Sequence, residues 1–278
     1  MNPEKNLLSV SASPITGIIK KPYYDLQSTI KVMNLLSLEK AVDGFEVQNL
    51  AEWCRENPPR DDVTNERRAA WDRSPKYSPD EVERLLQGSP ILSVHANRDT
   101  GILLCSDDEK DIIRGKTLLH ESLWLAEKMG ARVCVFHLWD TWKPDFDILL
   151  LKTIFYEAAS YYPRVKASVE NVPTHMKGFT PLDLVRDFEW ITLDLRWAAL
   201  YDEFHKFESL KDKIVNIHLR GKLENGRWVM NKAPFEFYEA LATLKTWGYQ
   251  KLLTLEPEGG IQDGAWEDLV TALYSLRA

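Results

Sequence analysis

No stretch of this chain holds the roughly 18 consecutive apolar residues that a membrane-spanning helix needs. The opening residues, Met1 through Asn6, lack the charged-then-apolar order of a secretory signal, and the expected location is the cytoplasm. Cysteine is scarce. Cys54, Cys105 and Cys134 are odd in number and form no CxxC pair, so a reducing compartment is expected and a disulfide framework is not. Cys134 lies within the apolar run 132–137 and reads as a small core residue rather than a nucleophile. Positive charge is in deficit: 35 Lys and Arg stand against 42 Asp and Glu, a formal net charge of −7. Neutralising phosphates takes clustered Lys and Arg, so a nucleic-acid partner is not expected. No glycine-rich phosphate loop follows the first strand candidate, where Ser11, Ala12, Ser13 and Pro14 stand instead, and this disfavours a doubly wound nucleotide-binding sheet. A GxSxG elbow is missing too, so a Ser-His-Asp hydrolase has no support.

What is present is a regular alternation. The 278 residues, 44% hydrophobic and 28% charged, are an ordinary soluble mix long enough to bury a sizeable core. Strand-like runs fall at 7–11, 42–47, 90–95, 132–137, 165–170, 190–194, 214–218 and 251–256. Helix-like segments fall between and after them, at 28–42, 79–88, 107–129, 146–161, from Thr180 onward, 198–210, 234–247 and 264–276. Ser78, Pro79 and Glu81 form a capping-box start; Thr180 and Pro181 open a helix on the same logic, and Ser106 is read as a cap. Strands separated by helices imply parallel pairing with right-handed crossovers. Eight such units in one domain over 1–278 match an α/β fold, a single (β/α)8 TIM barrel of eight parallel strands. A polar segment at 49–78, rich in Arg, Asp, Glu and Pro, interrupts the pattern after the second strand and holds a short helix near 66–71. Lid and oligomer contact are both open readings for it, so a homo-oligomer is an open expectation.

Active sites of such barrels sit at the C-terminal ends of the strands. Seven of the eight runs end in a titratable group: Glu46, His95, His137, Glu170, Asp194, His218 and Glu256. The last four are spaced by 24, 24 and 38 residues, each gap wide enough for a helix and two loops. Three carboxylates brought together without a cation repel one another and force protonation. A divalent metal resolves that conflict, and oxygen ligands with one imidazole suit Mn²⁺, Mg²⁺ or Co²⁺, with Zn²⁺ tolerable. Glu170, Asp194, His218 and Glu256 are therefore the expected ligands of one ion. Arg220 and Lys222 follow His218 at alternate positions and can meet a substrate hydroxyl, carboxylate or phosphate, or stay solvated. Trp139, Trp142 and Trp197 lie just past strand ends, where tryptophan walls a sugar pocket or packs the rim.

The runs Val169-Glu170-Asn171, Leu193-Asp194, Ile217-His218-Leu219 and Leu255-Glu256 resemble the xylose isomerase-like TIM barrel superfamily, in an order and spacing that extend over nearly the whole chain. That group contains sugar isomerases and epimerases and the endonuclease IV type of DNA-repair enzyme. The epimerase branch implies that Glu170, Asp194, His218 and Glu256 hold one metal. It also implies that Glu170 and Glu256 act as acid and base on opposite faces of the reacting carbon of a small sugar, through a metal-stabilised enediolate. On that resemblance His95, His137, Arg220, Glu46 and Trp197 become substrate-binding candidates. The endonuclease branch, an abasic-site phosphodiesterase, matches at His95 and His137. It then requires a histidine where Trp197 stands and an Asp-x-His that 226–231 lacks. A barrel without activity, serving as a binding protein, is the reading outside enzymology.

Overall fold

The structure is a computed structural model that describes residues 6–21, 25–55, 65–230 and 237–277. Eight strands form a closed parallel barrel: β1 (Leu7–Ser11), β2 (Gly44–Gln48), β3 (Ile91–His95), β4 (Val133–Phe136), β5 (Lys166–Glu170), β6 (Ile191–Asp194), β7 (Ile214–Glu224) and β9 (Leu252–Pro257). β6 pairs with β7, β7 with β9 and β9 with β1, which closes the ring. β8 (Arg227–Val229) stands outside it, antiparallel to the far end of β7. The helices are α1 (Leu26–Leu38), α2 (Asn65–Arg73), α3 (Pro79–Leu86), α4 (Asp99–Leu104), α5 (Glu109–Lys128), α6 (Ile148–Ser160), α7 (Pro181–Val185), α8 (Leu195–Leu200), α9 (Phe237–Thr246) and α10 (Trp266–Arg277). None is both long and apolar enough to cross a membrane, among the described residues.

Side chains alternate across a strand, and the barrel sorts them into two environments. One set, including Val10, Phe45, Val47, Val94, Phe136, Val169, Leu193, Ile217 and Leu255, is buried in the main apolar core. The alternate set is polar and equally buried: Ser9, Ser93, Ser168, Thr192, Asn216 and Thr254. Two pairs within it are hydrogen-bonded, Ser168 to Thr192 at 2.6 Å and Thr254 Oγ1 donating to Asn216 at 2.9 Å. Two residues further along the same strands stand His95, Glu170, Asp194, His218 and Glu256. A separate small apolar cluster of Val133, Val135, Val215 and Leu252, with Leu7, Leu92 and Trp190 against it, gathers toward the strand beginnings.

Several expected boundaries move. α1 starts before 28 because Asp25 is the cap, accepting from Ser28 N, and it ends before 42 because Lys40 turns to φ 54°. Ser106 is not the cap of α5: Asp108 is, and Ser106 Oγ instead accepts from Asp108 N and donates to Asp111. The expected helix 198–210 is two pieces, α8 capped by Asp194 and a 3₁₀ segment Phe204–Leu210, separated where Asp202 takes φ 53°. The seventh strand overruns 218 by six residues, since Asn225 and Gly226 (φ 49° and 71°) supply the two-residue turn that folds β8 back onto it. α4 was not anticipated. The capping box at Ser78, the cap and proline at Thr180 and Pro181, and a helix within 49–78 are as expected, while residues 56–64 of that segment lie outside the described residues.

α4 packs against the chain leaving β4 at Gly101. A Cβ there would lie 2.5 Å from Trp139 N and 2.6 Å from His137 O, both backbone atoms that cannot turn aside. Gly101→Ala should therefore destabilise the fold by about 1–3 kcal/mol, the usual range for overpacking. Urea unfolding of the variant beside the wild type measures it, and an unchanged midpoint would show that α4 shifts freely.

Candidate metal centre and active site

The strand registers bring the polar strand ends level with one another. Asp194 pairs with His218 across β6 and β7, and Arg220 with Glu256 across β7 and β9. Glu170, Asp194 and His218 are fully buried, and Glu256 nearly so. One donor atom from each of Glu170, Asp194, His218 and Glu256 lies within 4.8 Å of all the others, the spacing of a common ion. His218 Nδ1 stands 3.4 Å from Glu170 Oε2 and 3.5 Å from Glu256 Oε2. Asn171, which was not singled out as a site residue, fixes Asp194 from behind. Its Oδ1 accepts from Asp194 N at 2.7 Å and its Nδ2 donates to Asp194 O at 3.2 Å. Its only signal in the sequence is its place directly after Glu170.

Arg220 reaches into the same cluster. Its Nε donates to Asp194 Oδ2 at 2.7 Å, and Nη2 stands 2.9 Å from Glu256 Oε2 and 3.9 Å from Glu170 Oε1. Trp197 lies half-buried with the Arg220 and Arg196 guanidinium groups 5.1 Å and 5.3 Å from its ring centre. Arg196 forms its ion pair with Glu258, not with a carboxylate of the cluster. On the opposite side His137 Nε2 is 3.0 Å from Glu170 Oε2, and His95 Nε2 is 3.7 Å from the same oxygen. The His95 and His137 rings meet edge to face. Glu46 sits below, fully buried, with Oε2 against His218 Nε2 at 3.2 Å. All seven strand-end candidates of the sequence thus converge with Arg220, and Trp197 lies against them. The other two tryptophans separate: Trp139 is buried in the core with Nε1 on Pro173 O, whereas Trp142 is 76% exposed and stacks on His175 at the rim. Lys222 is exposed.

Charge decides what this arrangement can hold. Four buried carboxylates face one guanidinium, and even a protonated His218 leaves two negative charges over. Burial pushes the Asp194 carboxyl up to about 6, with Arg220 opposing and the Glu170 and Glu256 charges adding. Burial acts on Glu170 and Glu256 in the same direction but is outweighed. His137 and His218 hold Glu170 well below the usual carboxylate range, and Arg220 and His218 lower Glu256. Burial lowers His218, yet Glu46 and Glu170 raise it well above 6.5. Glu170 Oε1 and His218 Nδ1 are buried without a hydrogen-bond partner. Unpaired buried donors and acceptors are costly. Three carboxylates and an imidazole nitrogen facing one point fit a divalent cation, which would offset two of the excess negative charges and take up the unpaired atoms.

With these elements the chain has the fold of a single (β/α)8 TIM barrel. Solved structures carry the same architecture. Over 98% of this chain and 96% of the other, the fold matches a D-allulose 3-epimerase from Methylomonas sp. in complex with D-allulose, at TM-score 0.64 and 14% identity. A sugar phosphate isomerase/epimerase from Parabacteroides distasonis matches at TM-score 0.64 and 13% identity, over 99% of this chain and 96% of that one. A 3-keto-D-glucoside 4-epimerase from E. coli matches at TM-score 0.59 and 12% identity, over 98% and 99%. At such identities the likeness is one of fold. No family model and no curated protein matches the chain.

The shifted groups set a pH dependence. An acid whose folded pKa is raised binds its proton more tightly when folded. Asp194 therefore costs the metal-free fold stability as pH rises from its ordinary 3.8 to about 6. His218 acts in the same sense at higher pH: its raised pKa stabilises below 6.5, and this is lost as pH climbs toward the folded value. Glu170, Glu256 and His137, whose folded pKa values are lowered, act the other way, so the Asp194 share is read as a difference: measured against Asp194→Asn, metal-free wild type should lose melting temperature as pH rises through this window, and Mn²⁺ should raise the wild-type melting temperature most at the high end. Thermal melts across pH with chelator or Mn²⁺ test this. A difference between wild type and Asp194→Asn that does not change with pH over the window, with no Mn²⁺ effect, would contradict it.

Proposed function

We propose that this protein is a divalent-metal-dependent epimerase or isomerase of a small sugar. The observation that carries the reading is that Glu170 and Glu256 reach one cation-sized space from β5 and β9, 3.4 Å and 3.5 Å from His218 Nδ1. Glu170, Asp194, His218 and Glu256 would hold the ion. Bound there, a divalent cation would supply Lewis-acid polarisation of a substrate carbonyl and its adjacent hydroxyl, which acidifies the carbon-bound proton between them. The chain's own residues do the rest. One glutamate takes that proton from one face of the carbon, and the other returns a proton to the opposite face, inverting the centre. Arg220 binds Glu256 through Nη2 and Asp194 through Nε, fixing both carboxylates and compensating their charge. His137 holds Glu170 Oε2 and is 18% exposed, so it stands between the carboxylate and solvent, where a substrate hydroxyl can reach it. The solved epimerases of the same fold support the choice of substrate class. The cytoplasm is the compartment this reading expects.

A second reading rests on His95 and His137, which converge on Glu170, and on the further ligand group that His95 forms with Glu170 and His218. Two ions favour hydrolysis of a phosphodiester. Trp197 and the missing Asp-x-His weigh against that branch. Metal analysis of the purified chain separates the readings: about one ion for the epimerase, more for the phosphodiesterase, none for an inactive barrel.

General acid–base groups contribute about 10²- to 10⁴-fold. Glu170→Gln and Glu256→Gln should each lower turnover of the active ketose by that amount. Wild-type protein in ²H₂O should incorporate solvent deuterium at the reacting carbon. Full activity in both variants, or inversion without deuterium uptake, would overturn the assignment of these two residues.

A further inference from the structure

Glu46 lies on β2, 172 residues from His218 in sequence, and is fully buried. Its Oε2 accepts from Ser93 Oγ at 2.9 Å and stands 3.2 Å from His218 Nε2. The other nitrogen of that ring, Nδ1, faces Glu170 and Glu256. A bulge in the β2–β3 register falls between Phe45 and Glu46, where Ser93 comes to pair with Glu46. Bulges re-aim side chains, and this one brings Ser93 and the Glu46 carboxylate together beneath the His218 ring. On the ring's flank His95 lies nearly parallel, 5.9 Å between centres. A carboxylate on one imidazole nitrogen dictates which nitrogen keeps its proton and which is free to bind a metal.

We propose that Glu46 is a positioning residue rather than a substrate-binding one. It holds the proton of His218 on Nε2, fixes the ring, and thereby makes Nδ1 the ligand atom, with Ser93 holding Glu46 in turn. Resting on the metal reading above, the assignment makes a distinct prediction for a residue that touches neither substrate nor ion. A carboxylate reached through a ligand histidine alters affinity and ligand chemistry without altering the ligand set.

The test uses the full-length chain and Zn²⁺ and Mn²⁺ themselves. Mn²⁺ affinity, measured by calorimetry on wild type, Glu46→Gln, Glu46→Met and Ser93→Ala, should fall about 10- to 100-fold in Glu46→Met. Glu46→Gln, whose amide oxygen still accepts from Nε2, should lose less, and Ser93→Ala should weaken binding in the same direction. Histidine ¹⁵N NMR of Zn²⁺-loaded wild type should show His218 protonated on Nε2 and metal-bound through Nδ1. A mixture of nitrogens should be seen in Glu46→Met. If wild type binds no divalent cation, the metal reading fails and this assignment falls with it. If wild type binds but all four proteins bind alike, or if Nε2 carries the metal in wild type, the metal reading stands and the role of Glu46 is overturned. Ser93→Ala leaves Glu46 in place, so the comparison survives even if Glu46→Met does not fold.

Discussion

Mutual repulsion among buried carboxylates is the constraint on which the rest of this structure depends. Glu46, Glu170, Asp194 and Glu256 stand at one mouth of the barrel with almost no access to water. Taking even one carboxylate out of water costs several kcal/mol unless it is compensated. The chain compensates with what it has: Arg220 across Asp194 and Glu256, His218 between Glu46 and Glu170, and His137 on Glu170. Asp194 also accepts from the backbone of Arg196 and Trp197, where it caps α8. That compensation is incomplete, and the shortfall is negative, the sign that a bound cation would offset.

The barrel can carry this load because its interior is graded. Apolar residues cluster toward the strand beginnings, hydroxyl and amide side chains fill the next positions, and the ionisable ring follows. The hydroxyls of Ser93, Ser168, Thr192 and Thr254 each meet a neighbour, so the layer under the site is held in place without being charged. It gives the carboxylates a polar floor of fixed dipoles, where mobile water would otherwise have to enter. Preorganised dipoles of this kind cost nothing to reorient when charge moves during a proton transfer.

What the sequence made legible follows from period. A parallel strand buried on both faces is an almost continuous apolar run, and the residue that breaks it marks the C-terminal rim. Glu170 and Asp194 are the last residues of β5 and β6, as their runs suggested. His218 ended a run yet lies inside β7, because its strand continues through Arg220 into a hairpin. The Asn225-Gly226 pair was the available signal for that turn. Glu46 was placed at a strand end, but its direction was not readable. It depends on a bulge and on Ser93, a contact between strands that no local pattern encodes. The division of 198–210 was hidden for a similar reason: Asp194 reads as a ligand, while its carboxylate also starts a helix.

Asp194 shows why the two roles are compatible. Its Oδ1 accepts from the amides of Arg196 and Trp197, and its Oδ2 is left for Arg220. One oxygen is thus committed to the fold and the other to the site. A cation would compete with Arg220 for Oδ2 and would not disturb the cap. The guanidinium has somewhere to go, since it also lies against Trp197 and reaches Glu256. Arg220 therefore acts as the resident counter-charge of the metal-free barrel, and the Asp194 oxygen it shares is the point where fold stability and cation binding meet.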